Sequence, residues 1–344
     1  MNPIYNSSIS PKTLFLLIIA LCCVMSYIPY KLLSVPYAGL PAHSLDVDSI
    51  LTMSLPLNIT VDKRFSNSGQ TRPVIAIGSG ITSRMLKNVS EYNVGIKFQF
   101  FNSFLPTFCN TASPQYIYRI YLAFDNNDEV FANQLLRDAF KRHFYGFTAT
   151  GSCGNRRIIT SLSLVQCDYT GKPAWAQNDA MLEAYLDHVD YFYRINDDTK
   201  LLTKGWAEKF ISTLENYDPP RVGVVGPKTT GGHIILIYDF VHRTHIDIFG
   251  FYYPRLFTDW FADRWITLVY KPNRSTKLLD VRLIHTMSLG RRYNVHFGLK
   301  IQLGHHLAKD TALINRWVEY HNKKRNFQLD TISKRNYAQE EAPS

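Results

Sequence analysis

The sequence predicts an α/β protein, an open and mostly parallel sheet flanked by helices, and three observations predict it. Runs of β-branched and aromatic residues recur at Arg72-Pro73-Val74-Ile75-Ala76-Ile77-Gly78-Ser79-Gly80, at Tyr116-Ile117-Tyr118-Arg119-Ile120-Tyr121-Leu122-Ala123-Phe124 and at Tyr191-Phe192-Tyr193-Arg194-Ile195. Each has the length of a buried strand. Segments with helical spacing of apolar residues separate them, and strands alternating with helices build a parallel sheet through crossover connections. Two of the runs stop at acids, Asp125-Asn126-Asn127-Asp128 and Asn196-Asp197-Asp198, which places carboxylates at strand ends, where open α/β sheets hold ligands.

Composition narrows the class. The 344 residues, 46% hydrophobic and 14% aromatic, suffice for a large core in one large or two small domains, which argues against a disordered chain. The net charge of +10 is dispersed, without dense Lys/Arg blocks or a nucleic-acid module; anions such as nucleotide phosphates fit it as well as nucleic acid does, and they are preferred because the N-terminus argues for a secretory location.

Residues 1–12 read as a short cytosolic tail and 13–30 as an uncleaved signal-anchor transmembrane helix. The apolar run between Lys12 and Lys31 carries no charge, and Ser26-Tyr27-Ile28-Pro29-Tyr30 is too bulky for a cleavage site. With one lysine on either side, the flanking charges barely orient the span. Residues 31–71, rich in Pro, Ser, Leu and Asn, read as a stem. Three N-glycosylation acceptor patterns follow the anchor, Asn58-Ile59-Thr60, Asn88-Val89-Ser90 and Asn273-Arg274-Ser275, and they matter only if this part of the chain is lumenal. Cys109, Cys153 and Cys167 lack the paired spacing of a zinc site; one disulfide is expected, between Cys153 and Cys167, which flank one short strand.

The first strand, 72–80, closes into a Gly-rich turn and Ile81-Thr82-Ser83-Arg84. Its backbone N–H groups, hydroxyl and Arg suit a nucleotide, and they equally suit a plain strand-to-helix turn; neither the dinucleotide fingerprint nor the P-loop pattern is present. A second strand, 116–124, leads into an amphipathic helix over 129–144. A strand over 157–165 and a helix over 172–186 follow. On the next strand Asn196 and Asp198 share a face, and Asp197 takes the other unless the chain has turned; oxygen donors of this kind suit Mg²⁺ or Mn²⁺, and a solvated turn is the simpler alternative. A helix to about 216 ends at Pro219-Pro220, and a strand covers 221–227. His242, Arg243, His245 and Asp247 read as polar residues of a structured loop or helix rather than metal ligands.

In Phe257-Thr258-Asp259-Trp260-Phe261-Ala262-Asp263-Arg264-Trp265, a helix would put Trp260, Asp263 and Arg264 on one side. Asp263 is then either a base in a low-dielectric, indole-lined setting or the partner of a nearby cation. Segments 281–286 and 291–296, a helix over 305–322 and a loose polar tail over 323–344 complete the chain.

A signal anchor, a stem, a strand ending Asn196-Asp197-Asp198 and the downstream Trp260-Phe261-Ala262-Asp263-Arg264-Trp265 segment together resemble type II Golgi glycosyltransferases of the GT-A fold, closest to family-2-like members with an Asp-x-Asp metal motif. The resemblance implies a catalytic domain over 72–322 facing the lumen of the Golgi or ER, and transfer from a nucleotide-sugar, UDP-linked, to a glycan or glycoprotein hydroxyl with Mn²⁺ or Mg²⁺. It implies that Asp198 and His296 ligate the metal, with His285 as a competitor for the second place. Thr82, Arg84, Asp125, Asn196, Asp197 and Arg292 would bind the nucleotide-sugar, and Asp263 would act as base with inversion. Asn196 stands where the family carries an acid, which leaves the metal site one negative charge short and motivates an alternative, a catalytically silent lumenal binding or scaffold protein on the same fold. A separate and less favoured alternative is a glycoside hydrolase using two carboxylates such as Asp198 and Asp263.

Overall fold

The computed structural model describes residues 72–230, 234–286 and 298–340, with side chains as far as 325. The expected anchor, the stem, Asn58, Arg292 and His296 lie outside the described residues. Among the described residues no helix is long and apolar enough to cross a membrane.

The strands are β1 (Val74–Gly80), β2 (Ile117–Phe124), β3 (Ile159–Gln166), β4 (Tyr191–Arg194), β5 (Thr199–Leu201), β6 (Val224–Thr229), β7 (Asp239–His242) and β8 (Ser275–His285). The helices are α1 (Val94–Lys97), α2 (Leu105–Thr111) after a π-helical turn (Phe100–Phe104), α3 (Gln134–Ala149), α4 (Gly151–Asn155), α5 (Pro173–Leu186), α6 (Trp206–Glu215), α7 (Thr244–Phe249), α8 (Ala262–Val269) and α9 (Leu299–Glu340).

All eight strands form one sheet in the order β3-β2-β1-β4-β7-β6-β8-β5. The first four are parallel, while β7 runs against β4 and β6, and β5 against β8. The chain leaves β1 for β2 and β3 on one side and returns with β4 on the other. The strand order therefore reverses between β1 and β4, and the crevice at their carboxyl ends is where such sheets bind ligands.

Alternation along β1 divides the core between the two faces. Ile75 and Ile77 join the phenylalanine-rich cluster of Phe98, Phe100, Phe104, Phe108, Phe140 and Phe144, all essentially sealed from water. Ala76 faces the other way, against Ala180 and Met181 of α5. Gly78 sets how closely that helix approaches: a β-carbon there would stand 2.6 Å from the Met181 methyl and 2.7 Å from its sulfur.

Several boundaries differ from the sequence expectation, each for a local reason. α3 begins at Gln134 rather than near 129, because Asn133 caps it, its side chain accepting from the Leu135 and Leu136 N–H groups. β4 stops at Arg194, so the acid triplet lies in a turn and the alternation along a strand does not apply to it. α8 begins at Ala262 and leaves Trp260 outside the helix, so the expected stripe of Trp260, Asp263 and Arg264 does not form. There Asp259 accepts from the Trp260 N–H at 2.6 Å and the Thr258 hydroxyl at 2.9 Å, a local turn that competes with helix, and Phe261 adopts a left-handed φ of 74°. At the C-terminus α9 continues to Glu340, through the segment expected to be a loose tail.

The disulfide joins Cys109 to Cys153, both fully buried, and Cys167 is the free thiol. Pairing Cys153 with Cys167 fails on length. They flank β3 at opposite ends, and an eight-residue strand spans about 26 Å at ~3.3 Å per residue.

Candidate active site

Four groups of side chains gather at the carboxyl edge of β1, β2 and β4. After β1 the chain is gripped by Asp128, which the sequence presented only as part of an acidic turn. Its Oδ2 accepts from the Thr82 hydroxyl at 3.0 Å and the Ser83 N–H at 2.6 Å, and its Oδ1 from the Ser83 hydroxyl at 2.7 Å. The Val130 and Phe131 N–H groups, at 3.1 Å each, complete the set. Asp128 is 5% exposed, so Asp128→Ala is expected to cost about 2 kcal/mol or more by orphaning buried donors. Denaturant unfolding measures it, and a loss below about 0.5 kcal/mol would contradict the clamp.

Beside this clamp, Arg84 Nη2 pairs with Asp125 Oδ2 at 2.8 Å, and the same oxygen accepts from the Gly171 N–H at 2.9 Å. Thr82, Arg84 and Asp125, expected together from sequence, are thus brought together around one turn. The Arg84 side chain remains 40% exposed beside the strand switch, open to an incoming anion.

The second group is built by strand register. β5 lies antiparallel to β8 with Thr199 opposite His285, and Thr286 donates to the Asp198 carbonyl through both its N–H (3.2 Å) and its hydroxyl (2.6 Å). That pairing carries the His285 imidazole to Asp198: Nε2 to Oδ1 is 2.9 Å, with the Asp198 side chain 6% exposed. Asn196 Nδ2 lies 3.3 Å from the same imidazole nitrogen. With Nε2 unprotonated it accepts from the Asn196 NH2, whose amide oxygen faces Gln177 Nε2 at 3.5 Å. The Asp198 carboxylate and that imidazole nitrogen are then the two groups of this turn that could ligate a cation.

One carboxylate oxygen and one imidazole nitrogen could hold a divalent cation. Two adjacent ligands of an octahedral ion at ~2.0–2.1 Å stand ~2.9 Å apart, which matches the Asp198–His285 separation. Such ions take one or two carboxylates and leave the remaining positions to water and phosphate. Among the described residues no three His, Cys, Asp or Glu side chains converge as a metal cluster. Asp197 is buried beside this turn, 2% exposed.

The third group lies behind β4. Arg194, its last residue, is buried with Asp239 of β7 directly opposite. Its guanidinium reaches Asp239 Oδ2 at 3.1 Å and the Tyr253 hydroxyl at 2.8 Å. Tyr253 donates to the same carboxylate oxygen at 2.6 Å, and Tyr252 to the other. Burial pushes the Asp239 carboxyl up, opposed by Arg194 and the two phenols.

Asp263 opens α8 within electrostatic range of that cation. Burial pushes its carboxyl above the ordinary carboxylate range, and the Arg194 charge and the Arg264 N–H, which donates at 2.8 Å, pull it part of the way back. Asp263 thus lies within electrostatic range of Arg194, the last residue of β4, after which the Asn196-Asp198 turn follows. Trp260, 40% exposed, lies on the adjoining loop.

The first turns of α5 tie these groups together. The Ala174 N–H donates to the Thr258 carbonyl at 3.0 Å, the Trp175 indole to the Arg255 carbonyl at 2.7 Å, and Gln177 Nε2 lies 3.5 Å from Asn196 Oδ1. His242 and His245 are structural, as expected. His245 spans the Tyr270 hydroxyl (2.9 Å) and the Tyr252 carbonyl (2.8 Å), and burial lowers its pKa to about 4.

Sequence reasoning left Asp128, Gly171, Gln177, Arg194 and Asp239 out of the site and ranked His285 behind His296. Of these, His285 had a readable signal, a lone imidazole at the end of an apolar run, and so did Arg194, a cation within one.

No family model matches the chain, and no curated protein matches it. Among solved structures, it is similar to S. aureus TarS residues 1–349, at 12% identity over 70% of this chain and 65% of that one, with a TM-score of 0.43. It is also similar to the same protein in complex with UDP-GlcNAc, at 11% identity over 70% of this chain and 66% of that one, with a TM-score of 0.45. This chain thus spans just under two thirds of those chains.

Proposed function

We propose that the chain is a metal-dependent glycosyltransferase that moves a sugar from a nucleotide-sugar, UDP-linked, to an acceptor hydroxyl on a glycan or glycoprotein, with Asp263 as base and inversion at the anomeric carbon. The observation that carries the proposal is the convergence of Asp198, His285 and Asn196 at the end of β4, with Asp263 within electrostatic range of Arg194, the last residue of that strand. The sequence resemblance to GT-A glycosyltransferases points the same way.

In this reading Arg84 and Asp125 hold the nucleoside at the β1–β2 edge, and Asp198 and His285 would hold Mn²⁺ or Mg²⁺. The bound cation would offset negative charge on the departing diphosphate. Asp263, made more basic by burial, accepts the proton of the acceptor hydroxyl at a carboxylate oxygen as the hydroxyl oxygen attacks. The exposed Trp260 ring offers an apolar face to an acceptor sugar. Alignment of the attacking oxygen, anomeric carbon and leaving oxygen is left to the fixed strand ends. Anchoring by residues 13–30 in a Golgi or ER membrane belongs to the same proposal.

A thermal-shift series of the full chain against nucleotide-sugars, with and without Mn²⁺, tests it. A ligand at 100 times its Kd adds about 2.7 kcal/mol, and the stabilisation is expected to depend on Mn²⁺. Asp198→Ala and His285→Ala should each remove the Mn²⁺-dependent part. Stabilisation indifferent to Mn²⁺ with no sugar transfer would favour the silent scaffold that Asn196 suggests, and no response to any nucleotide-sugar would sink the proposal.

A further inference from the structure

We infer that Asn273 carries an N-linked glycan and that residues 72–340 accordingly fold on the lumenal side of a secretory membrane. Two independent features meet here. The Asn273-Arg274-Ser275 acceptor pattern lies on the turn between α8 and β8, and Asn273 is exposed. Such a pattern has consequences only in the secretory pathway.

The second feature is the Cys109–Cys153 disulfide. It joins residues 44 apart in the chain and is wholly buried between α2 and α4. Structural disulfides of this kind form in oxidising compartments and are rare in the cytosol. Its presence supplies the compartment that the acceptor pattern requires, from residues far removed in sequence.

Topology adds a functional consequence. β8 runs parallel to β6 and hence to β4, so the residue before β8 lies at the amino edge of the sheet, while His285 at the other end of β8 meets Asp198. The rise of an extended strand puts more than about 20 Å between the two ends. A glycan on Asn273 therefore leaves the candidate site open.

In the modification, Asn273 Nδ2 gives up one proton and bonds to the anomeric carbon of an oligosaccharide carried on a polyprenyl diphosphate. The bond from that carbon to the diphosphate oxygen breaks, and the lipid diphosphate leaves with the electron pair.

The test expresses the full chain in cultured animal cells with Asn58→Gln and Asn88→Gln, so that Asn273 carries the last acceptor pattern of the three. One step in electrophoretic mobility, abolished by peptide-N-glycosidase, is expected. Asn273→Gln and Ser275→Ala should each abolish it, the latter while keeping the asparagine. Peptide mass analysis should show Asn273 converted to Asp by the glycosidase, with Cys109 and Cys153 protected from alkylation until reduction. An unmodified Asn273 peptide, or both cysteines alkylated without reductant, would overturn the inference. Neither readout depends on the transfer reaction, so the failure of one proposal is distinguishable from failure of the other.

Discussion

An Arg194→Ala variant is expected to lose about 3–5 kcal/mol of folding stability, the scale on which removing one partner strands a buried charge. Asp239 would be left fully buried with two phenolic donors and no guanidinium beside it. Its carboxyl, already lifted by burial, would rise further and take up a proton, so the loss should be smaller in acid than at neutral pH. The sign follows from linkage: a carboxyl whose folded pKa lies above its unfolded value makes the native state less stable as pH rises through that range. Urea denaturation across the acid-to-neutral range measures this. An Arg194→Ala loss of less than about 1 kcal/mol at neutral pH would mean that water or another cation takes over the role.

Asp263→Asn is expected to lower kcat/KM for sugar transfer by about 10²- to 10⁴-fold, the usual contribution of a positioned base. Donor binding should stay unchanged, because the nucleotide and cation groups lie on other elements. The same substitution should raise stability at neutral pH, since it removes a carboxylate that burial disfavours. That gain must fade as pH falls and the native Asp263 takes up its proton. Steady-state kinetics beside thermal melts separate the two effects. Undiminished transfer by the Asp263→Asn enzyme would leave the chain without a base at this position.

The sheet was legible because its strands are encoded locally. Ile75 and Ile77 against Ala76, and the apolar run before Asn196, state which residues are buried and where they stop. The acids at strand ends were legible for the same reason, as were Arg84 and Asp125, each in the turn after its own strand. His285 was different: it reaches Asp198 only through the pairing of Thr199 with a residue far along the chain, and no local pattern records a register between distant strands. Arg194 was visible as a cation in an apolar run, but its partners Asp239 and Tyr253 come from β7 and the loop after α7. The Cys109–Cys153 bridge escapes the sequence because proximity along the chain, across a strand, means separation in space. Around Trp260, an Asp side chain competing for a backbone N–H overrode a helical apolar spacing, a contest the spacing alone does not reveal.

The opening of α5 touches the loop before α8 through Ala174 and Trp175, and approaches the Asn196 turn through Gln177. One helix terminus thus braces two loops far apart in the chain, so a substitution in the Pro173-to-Gln177 turn is expected to disturb both together.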